Sequence, residues 1–196
     1  MKKYIRPNLL QEYPKDAKTV FKGKVFEVKQ WSQKLYDGTY KTFEMLKRPD
    51  TVVVIPVTDK GEIILIKQQQ PGKKEFLDLP GGRAEENESV IDTAKRELLE
   101  ETGYVADEYI VLESIQPLAK IDWFVVIIVA KNCKIQQSAN LDGGEKITKM
   151  KVSFNKFIDL SVKGKIVEQT ELMAITLQAK LFPNKMLKLK KFILRH

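Results

Sequence analysis

Histidine and cysteine are nearly absent from this chain of 196 residues. The only histidine is His196, the last residue, which argues against a catalytic triad with a histidine base and against a multi-histidine zinc site. The only cysteine is Cys133, so no intramolecular disulfide can form, and a reducing, cytoplasmic location is expected. Catalysis, if present, must therefore rest on carboxylates, lysines or metals bound through oxygen.

Long hydrophobic runs are missing as well. The longest one, 123–130, is far below the roughly 18 residues that a transmembrane helix needs, so no membrane span is expected. The 34 basic and 26 acidic residues give a formal net charge of +8, which favours anionic partners in general. Because no basic stretch is interleaved with aromatic residues, as single-strand binding requires, the sequence argues against nucleic acid as a partner.

The first quarter of the chain is predicted to form a small antiparallel β unit. Two runs rich in β-branched and aromatic residues, 20–35 and 40–47, flank an Asp-Gly pair, which is the signal for a two-residue hairpin turn. Residues 1–47 are therefore predicted to be an N-terminal arm and β domain. Residues 48–196 are predicted to form the second domain.

The second part combines apolar strands with two substantial helices, which predicts a mixed α/β layer structure. A helix is expected from Glu88 or Ser89 to about Thr102, with Gly103 ending it. A last helix with one apolar face follows Gly164 and is expected to stop at Pro183-Asn184, leaving a solvated lysine-rich end. Strand patterns lie at 51–58, 62–70, 109–113, 123–130 and 149–153, and a short helix or turn at 155–160.

Three glutamates of the helix predicted after Ser89 share one face. At 100° per residue, Glu97, Glu100 and Glu101 project within about 100° of one another, beside an apolar stripe. Like charges at this spacing repel each other and oppose the helix dipole, so a cation should compensate for them. Mg²⁺ is the natural candidate, because it takes carboxylate oxygens and shares its other positions with phosphates. The alternative is a solvated, charge-laced helix.

Two neighbouring features favour the metal interpretation. Arg96 stands four residues before Glu100 and is placed to hold that carboxylate, as hydrogen-bonding neighbours of metal ligands do. The Gly81-Gly82 pair lets the backbone approach the same ion without a side chain in the way.

The segment from Gly82 to Tyr104 resembles a Nudix box: glycine, five residues, glutamate, seven residues, then Arg-Glu-apolar-any-Glu-Glu-any-Gly-apolar. The matching residues are Gly82, Glu88, Arg96, Glu97, Leu98, Glu100, Glu101 and Gly103. At typical residue frequencies, seven fixed positions arise by chance about once in 10⁸ placements. Tyr104 departs from the pattern, since an aliphatic residue is more usual there.

The resemblance implies the Nudix fold, an α/β/α sandwich around a mixed sheet, here with the small N-terminal antiparallel β domain. It implies that Glu88 stabilises the loop and the helix through Arg96, while Gly82 and Gly103 have structural roles. It also implies a site for Mg²⁺ or Mn²⁺, formed by Glu97, Glu100, Glu101 and the carbonyl group of Gly81.

Outside the box the chain is most similar to the branch of ADP-ribose and nucleotide-sugar pyrophosphatases. The resemblance lies in the strands after Val20, in the Leu-Asp-Leu-Pro-Gly-Gly stretch at 77–82 and in the layout of 144–174. It implies an N-terminal β domain that exchanges across a homodimer and completes the partner's substrate pocket. It also implies a loop acid that binds metal or acts as general base. Glu145 matches that position, with Asp142 as second choice, and a solvated loop charge is the alternative.

One departure from this branch concerns substrate binding. Lys67-Gln68-Gln69-Gln70 stands where the branch often has Arg-Gln-Tyr-Arg, so Gln70 replaces an arginine that would hold a phosphate. Arg83 and Lys120 are candidates for the missing positive charge, or ordinary surface residues. The candidate substrate-binding residues are Gln70, Asp78 and Arg83. Aromatic candidates for stacking on a base, each also suited to a core, are Trp31, Phe43, Trp123 and Phe124.

These patterns predict a Mg²⁺-dependent pyrophosphohydrolase. Its expected substrate is a small nucleotide derivative of the ADP-ribose type, a nucleoside diphosphate linked to a sugar-like group, which yields a nucleoside monophosphate and a sugar phosphate. Glu145, Glu100 and Arg96 are the catalytic candidates, with Glu145 taking the proton of the attacking water. One alternative is a Nudix pyrophosphatase for dinucleoside polyphosphates, nucleoside triphosphates or RNA caps. Another is a Nudix-fold module that binds a nucleotide without cleaving it.

Overall fold

The computed structural model describes residues 4–141, 146–167 and 169–194. Its strands are β1 (Lys18–Lys22), β2 (Glu27–Lys34), β3 (Tyr40–Lys47), β4 (Thr51–Thr58), β5 (Ile63–Gln69), β6 (Phe76–Asp78), β7 (Gly81–Arg83), β8 (Tyr104–Val105), β9 (Glu108–Ile115), β10 (Ile121–Asp122), β11 (Val125–Ile135) and β12 (Lys146–Val152). Its helices are α1 (Val90–Thr102), α2 (Phe154–Val162), α3 (Thr170–Leu181) and α4 (Pro183–Leu194).

The N-terminal strands form a four-stranded sheet in the order β1-β2-β3-β10. β2 and β3 are the predicted hairpin, but their loop spans residues 35–39 instead of two residues, because the carboxylate of Asp37 accepts hydrogen bonds from the amide and hydroxyl groups of Thr39. The first predicted run is also broken, since Gly23 donates a backbone hydrogen bond to Phe26 between β1 and β2. The fourth strand, β10, comes from much later in the chain and runs parallel to β3.

The second sheet is the middle layer of an α/β/α sandwich, which confirms the predicted fold class. Its strand order is β12-β5-β4-β11-β8, with β6, β7 and β9 paired beside β5, β4 and β11, and both parallel and antiparallel pairs occur. Val52 and Val54 of β4 pack in the cluster that contains α1, whereas Val53 and Ile55 pack in the cluster that contains α2, α3 and α4. A sheet covered on both faces requires this continuous apolar sequence.

Helix α1 has the predicted ends. Ser89 caps it by accepting a hydrogen bond from the amide of Asp92, and Gly103 ends it at a φ of 73°. These local signals position the glutamates that follow in the next turns. No helix of the described residues is both long and apolar enough to cross a bilayer.

The end of the chain differs from its prediction. α3 stops as expected, but Pro183 also begins a further helix, α4, because proline lacks an amide hydrogen and is tolerated in the first helical turn. Leu189 and Ile193 of α4 are buried against the central sheet. The lysine-rich segment is therefore a helix that packs on the core with its charged side chains outward, and not a solvated end.

The N-terminal arm packs where the two sheets meet. Arg6 forms ion pairs of 2.7 Å with both Asp50 and Asp122, and its guanidinium lies 4.5 Å from the ring centroid of Phe124. The hydroxyl of Tyr13 donates to the other oxygen of Asp122 at 2.8 Å, and burial together with this contact raises the pKa of Tyr13 to about 12. The arm thus binds the two acids that flank the start of the central sheet.

Candidate active site

A cavity of about 870 Å³ lies at the edge of the central sheet where β4 begins and β5 ends. It brings together nine residues predicted for the site: Gln70, Asp78, Gly81, Gly82, Arg83, Arg96, Glu97, Glu100 and Glu101. Glu88 and Gly103 are not in its lining and lie at the two ends of α1. Glu145 and Asp142 lie outside the described residues.

Two glycines bring β7 close to α1. The amide of Gly81 donates a 2.9 Å hydrogen bond to the carboxylate of Glu101. A Cβ atom on Gly82 would collide with the carboxylate of Glu97, and one on Gly81 with the carbonyl oxygen of Val52 in β4. A side chain at Gly81 would meet the backbone of β4, and a side chain at Gly82 would displace the Glu97 carboxylate, so the acidic face of α1 packs directly on backbone.

The three glutamates differ in exposure. The side chain of Glu97 is 14% exposed and Glu101 is 8% exposed, whereas the side chain of Glu100 is 44% exposed. Burial raises the pKa of Glu97, and the neighbouring Arg96 opposes this shift. Negative charge is therefore concentrated in a partly desolvated part of the cavity.

Arg96 connects the helix, the loop and two of these glutamates. Its Nε and Nη2 atoms donate to both oxygens of Glu88 at 2.9 and 3.0 Å. Its Nη1 atom donates to Glu97 at 2.8 Å and to Glu100 at 3.1 Å, and Nη2 also donates to the carbonyl of Arg83. The hydrogen bonds from Arg96 lower the pKa of Glu88 to about 2, and the same contacts raise the pKa of Arg96. Arg96 is thus placed to position the acidic face.

The donor groups of this face suit a hard divalent cation. Only carboxylate oxygens and nearby backbone are present, which is the ligand chemistry of Mg²⁺ and Mn²⁺. Among the described residues, no group of three or more acidic, cysteine or histidine side chains is arranged to bind a metal ion. Glu97 and Glu100 instead contact Arg96, and Glu101 contacts the Gly81 amide. The chemistry of these residues fits a divalent metal ion. Binding would require the carboxylates to exchange their present contacts for bonds to the ion.

Arg48 lines the cavity and is absent from the predicted site residues. Its guanidinium carbon lies 4.6 Å from the Trp123 ring centroid and 5.4 Å from that of Phe26, and Nη2 donates to the hydroxyl of Thr51 at 3.3 Å. Burial, and then the charge of Arg83, lower its pKa. No motif marks Arg48, and its place just before a buried strand is the only sequence signal.

The β5 side of the cavity carries amide groups. Asp78 accepts hydrogen bonds from Gln68 at 3.4 Å and from Gln169 at 2.9 Å, and Gln70 donates to Gln68 at 3.4 Å. Gln68 and Gln169 are further lining residues that the sequence patterns did not single out. The predicted residues Gln70 and Asp78 thus belong to one partly buried network of neutral donors around a carboxylate.

Of the four predicted aromatic residues, Trp123 is the one that lines the cavity, with Arg48 over its ring. Trp31 and Phe43 pack against each other in the N-terminal sheet, and Lys120 lies over Phe43. Phe124 is buried in the core under Arg6. Phe76 is a lining aromatic residue outside the predicted set.

Comparison with known proteins decides the family. Residues 47–166, more than half of the chain, match the NUDIX domain. The chain belongs to the Nudix family. The matched range contains the whole box, including the glutamates of α1, and this Nudix protein is an enzyme, a hydrolase.

Individual relatives support the resemblance to the ADP-ribose pyrophosphatase branch. The chain is 28% identical to the ADP-ribose pyrophosphatase of Bacillus subtilis (strain 168), over 85% of this chain and 91% of the relative. It is 26% identical to the methanol dehydrogenase activator of Bacillus methanolicus, over 85% and 92%. A crystal structure of an ADP compounds hydrolase shares the fold with a TM-score of 0.67 at 21% identity, covering 95% of this chain and 98% of that one.

Proposed function

We propose that this Nudix hydrolase cleaves the diphosphate of a nucleoside diphosphate linked to a sugar-like group, as in ADP-ribose, giving a nucleoside monophosphate and a sugar phosphate. The observation that carries the proposal is one cavity of about 870 Å³ that combines the acidic face of α1 with arginine and amide side chains. Such a cavity offers cation ligands, positive charge for phosphate and hydrogen bonds for hydroxyl groups. Similarity to the ADP-ribose pyrophosphatase of Bacillus subtilis supports the substrate class.

In this proposal Mg²⁺ or Mn²⁺ is held by the carbonyl group of Gly81 and the carboxylates of Glu97, Glu100 and Glu101. When bound, the ion neutralises charge on the diphosphate and lowers the pKa of the attacking water. Arg96 orients the carboxylates of Glu97 and Glu100 through the hydrogen bonds of its Nη1 atom.

The proton of the attacking water has an acceptor outside the described residues. We assign this role to Glu145, with Asp142 as the second choice, because Glu145 matches the loop acid of the branch that the chain resembles. A carboxylate is the expected general base, since the chain offers no histidine before residue 196.

The amide network is proposed to bind the uncharged part of the substrate. Gln70, together with Gln68 and Gln169, offers neutral donors and acceptors that suit sugar hydroxyls or the edge of a base. Asp78 holds two of these amides through its oxygens, so its contribution to binding is their orientation.

Hydrolysis of a substrate panel tests the function. We expect release of nucleoside monophosphate from ADP-ribose or another nucleotide sugar in the presence of Mg²⁺, with little turnover of dinucleoside polyphosphates or nucleoside triphosphates. EDTA and the variant Glu101→Gln should both abolish the release. Preference for a triphosphate or a capped RNA would overturn the substrate class. Metal-dependent nucleotide binding without any turnover would contradict the catalytic role.

Residues 1–47 are further proposed to form a β domain that exchanges across a homodimer. Its support is a set of exposed apolar residues on or beside β1 to β3: Val20, Phe21, Phe26, Tyr40 and Leu46. Light scattering after size exclusion is expected to give twice the 22.6 kDa of one chain, and Phe21→Asp is expected to give monomers with a raised KM. A monomeric wild type at micromolar concentration would refute this proposal. The cytoplasmic location stays a prediction.

A further inference from the structure

Arg48 carries a positive charge that no described carboxylate neutralises. Its Nε atom is buried and has no hydrogen-bond partner among the described residues, and the one hydrogen bond of its guanidinium goes to the hydroxyl of Thr51. Buried donors are almost always satisfied, because desolvation without a partner costs free energy. The unsatisfied donor, the Nε atom of Arg48, belongs to a residue that lines the cavity.

One acid is close to Arg48 in the chain and another is close to it in the fold, and both are bound by other groups. Asp50 is two residues away, and the amide of Arg48 donates to the carbonyl of Asp122 at 3.2 Å. Arg6 pairs with both carboxylates, and the remaining oxygen of Asp122 accepts from Tyr13. The fold therefore supplies carboxylates at this place and directs them to Arg6 and not to Arg48.

Arg48 lies on the side of the cavity opposite the amide network. The strand order places β4 between β5 and β11, so Thr51 and Trp123, which contact Arg48, are on the β4–β11 side, while Gln70 follows β5. Thr51 is paired with Arg83 in β7, next to Gly82 and the acidic face. Arg83 is exposed and forms no ion pair with a described carboxylate, so two positive charges line this side.

We propose that Arg48, with Arg83 beside it, binds a phosphate group of the substrate. The inference rests on the proposed function and names the source of positive charge that Gln70 does not supply. Contacts with the rings of Trp123 and Phe26 restrict the guanidinium, and its planar fork matches two oxygens of one phosphate. The buried Nε atom gains its missing partner when that phosphate enters.

Substitution by methionine separates this role from a structural one. Arg48→Met keeps the length and the apolar contacts with Trp123 and Phe26, and it removes a desolvated charge. We therefore expect a melting temperature equal to or above that of the wild type, together with weaker nucleotide binding. A purely structural side chain would give the reverse, a lower melting temperature and unchanged binding.

The test is a calorimetric titration with ADP, once with EDTA and once with Ca²⁺, which needs no hydrolysis. Arg48→Met is expected to weaken ADP binding about 10-fold to 100-fold, as expected for loss of a charge-assisted, bidentate contact. Arg48→Lys, which keeps the charge without the fork, should fall between the two. The matched control is Lys60→Met, an exposed charge in the turn between β4 and β5, which should bind as the wild type does.

Either of two results would overturn the inference: wild-type affinity in a folded Arg48→Met variant, or no ADP binding by the wild type in both conditions. The proposed function fails separately. If ADP binding depends on Arg48 but no nucleotide sugar is hydrolysed, the phosphate site stands and the substrate class falls.

Discussion

Replacement of Glu97 by glutamine is expected to lower kcat about 100-fold to 1,000-fold. A bound divalent ion supplies several kcal/mol of stabilisation to a phosphoryl transition state, and each 1.4 kcal/mol or so is a factor of ten in rate. Glu97 is less exposed than Glu100, with 14% of its side chain accessible, and it packs on the backbone of Gly82. Its amide replacement keeps this packing and loses the charge that is proposed to hold the cation.

Steady-state kinetics on the best substrate of the panel would measure this effect. Glu100→Gln should have a smaller one, because that side chain is 44% exposed and water can replace its oxygens. Glu113→Gln, an exposed glutamate on β9, is the matched control and should keep the wild-type kcat. A Glu97→Gln variant with full kcat would contradict the proposed role of Glu97 in metal binding.

Replacement of Arg96 by methionine is expected to lower the free energy of unfolding by about 2 to 3 kcal/mol. The change leaves Glu88, Glu97 and Glu100 without the guanidinium that now binds them. Loss of one partner of a buried ion pair costs about 3 to 5 kcal/mol, and the partial exposure of these side chains reduces that figure. Urea denaturation without divalent ions measures the difference.

Addition of Mg²⁺ should recover part of this stability, since an ion that binds the folded state alone stabilises it. Lys95→Met is the matched control, because Lys95 is the exposed neighbour of Arg96 and pairs only with Asp92 among the described residues. If the two methionine variants unfold at the same urea concentration, Arg96 does not hold the acidic face.

The parts of the fold that the sequence predicts are those with local causes. Ser89 and Gly103 set the ends of α1 through hydrogen bonds within four residues, and the apolar runs of β4 and β11 require two covered faces. Helix α4 escapes prediction because proline both ends and begins helices, and sequence alone favours the first role at Pro183. The β2–β3 loop is longer than predicted because the side chain of Asp37 forms the turn.

The same division applies to the site. Helical periodicity predicts the common face of the three glutamates, because residues three and four apart are neighbours. The contact of Arg48 with Trp123 joins residues far apart in the chain, which meet only because β4 and β11 run in parallel. No periodic sequence pattern indicates a contact between such distant residues, so the positive side of the cavity is not predicted from the sequence. The hydrogen bond between the adjacent residues Arg96 and Glu97 has no periodic signal either.

The N-terminal arm keeps two carboxylates away from Arg48. Arg6 and Tyr13 bind Asp50 and Asp122, so these two carboxylates do not pair with the guanidinium of Arg48. If Asp50 and Asp122 were released from Arg6 and Tyr13, they could pair with Arg48. An incoming nucleotide would then compete with these carboxylates for the guanidinium. The readiness of the cavity for phosphate is thus maintained by residues more than 30 positions upstream of β4, which never enter it.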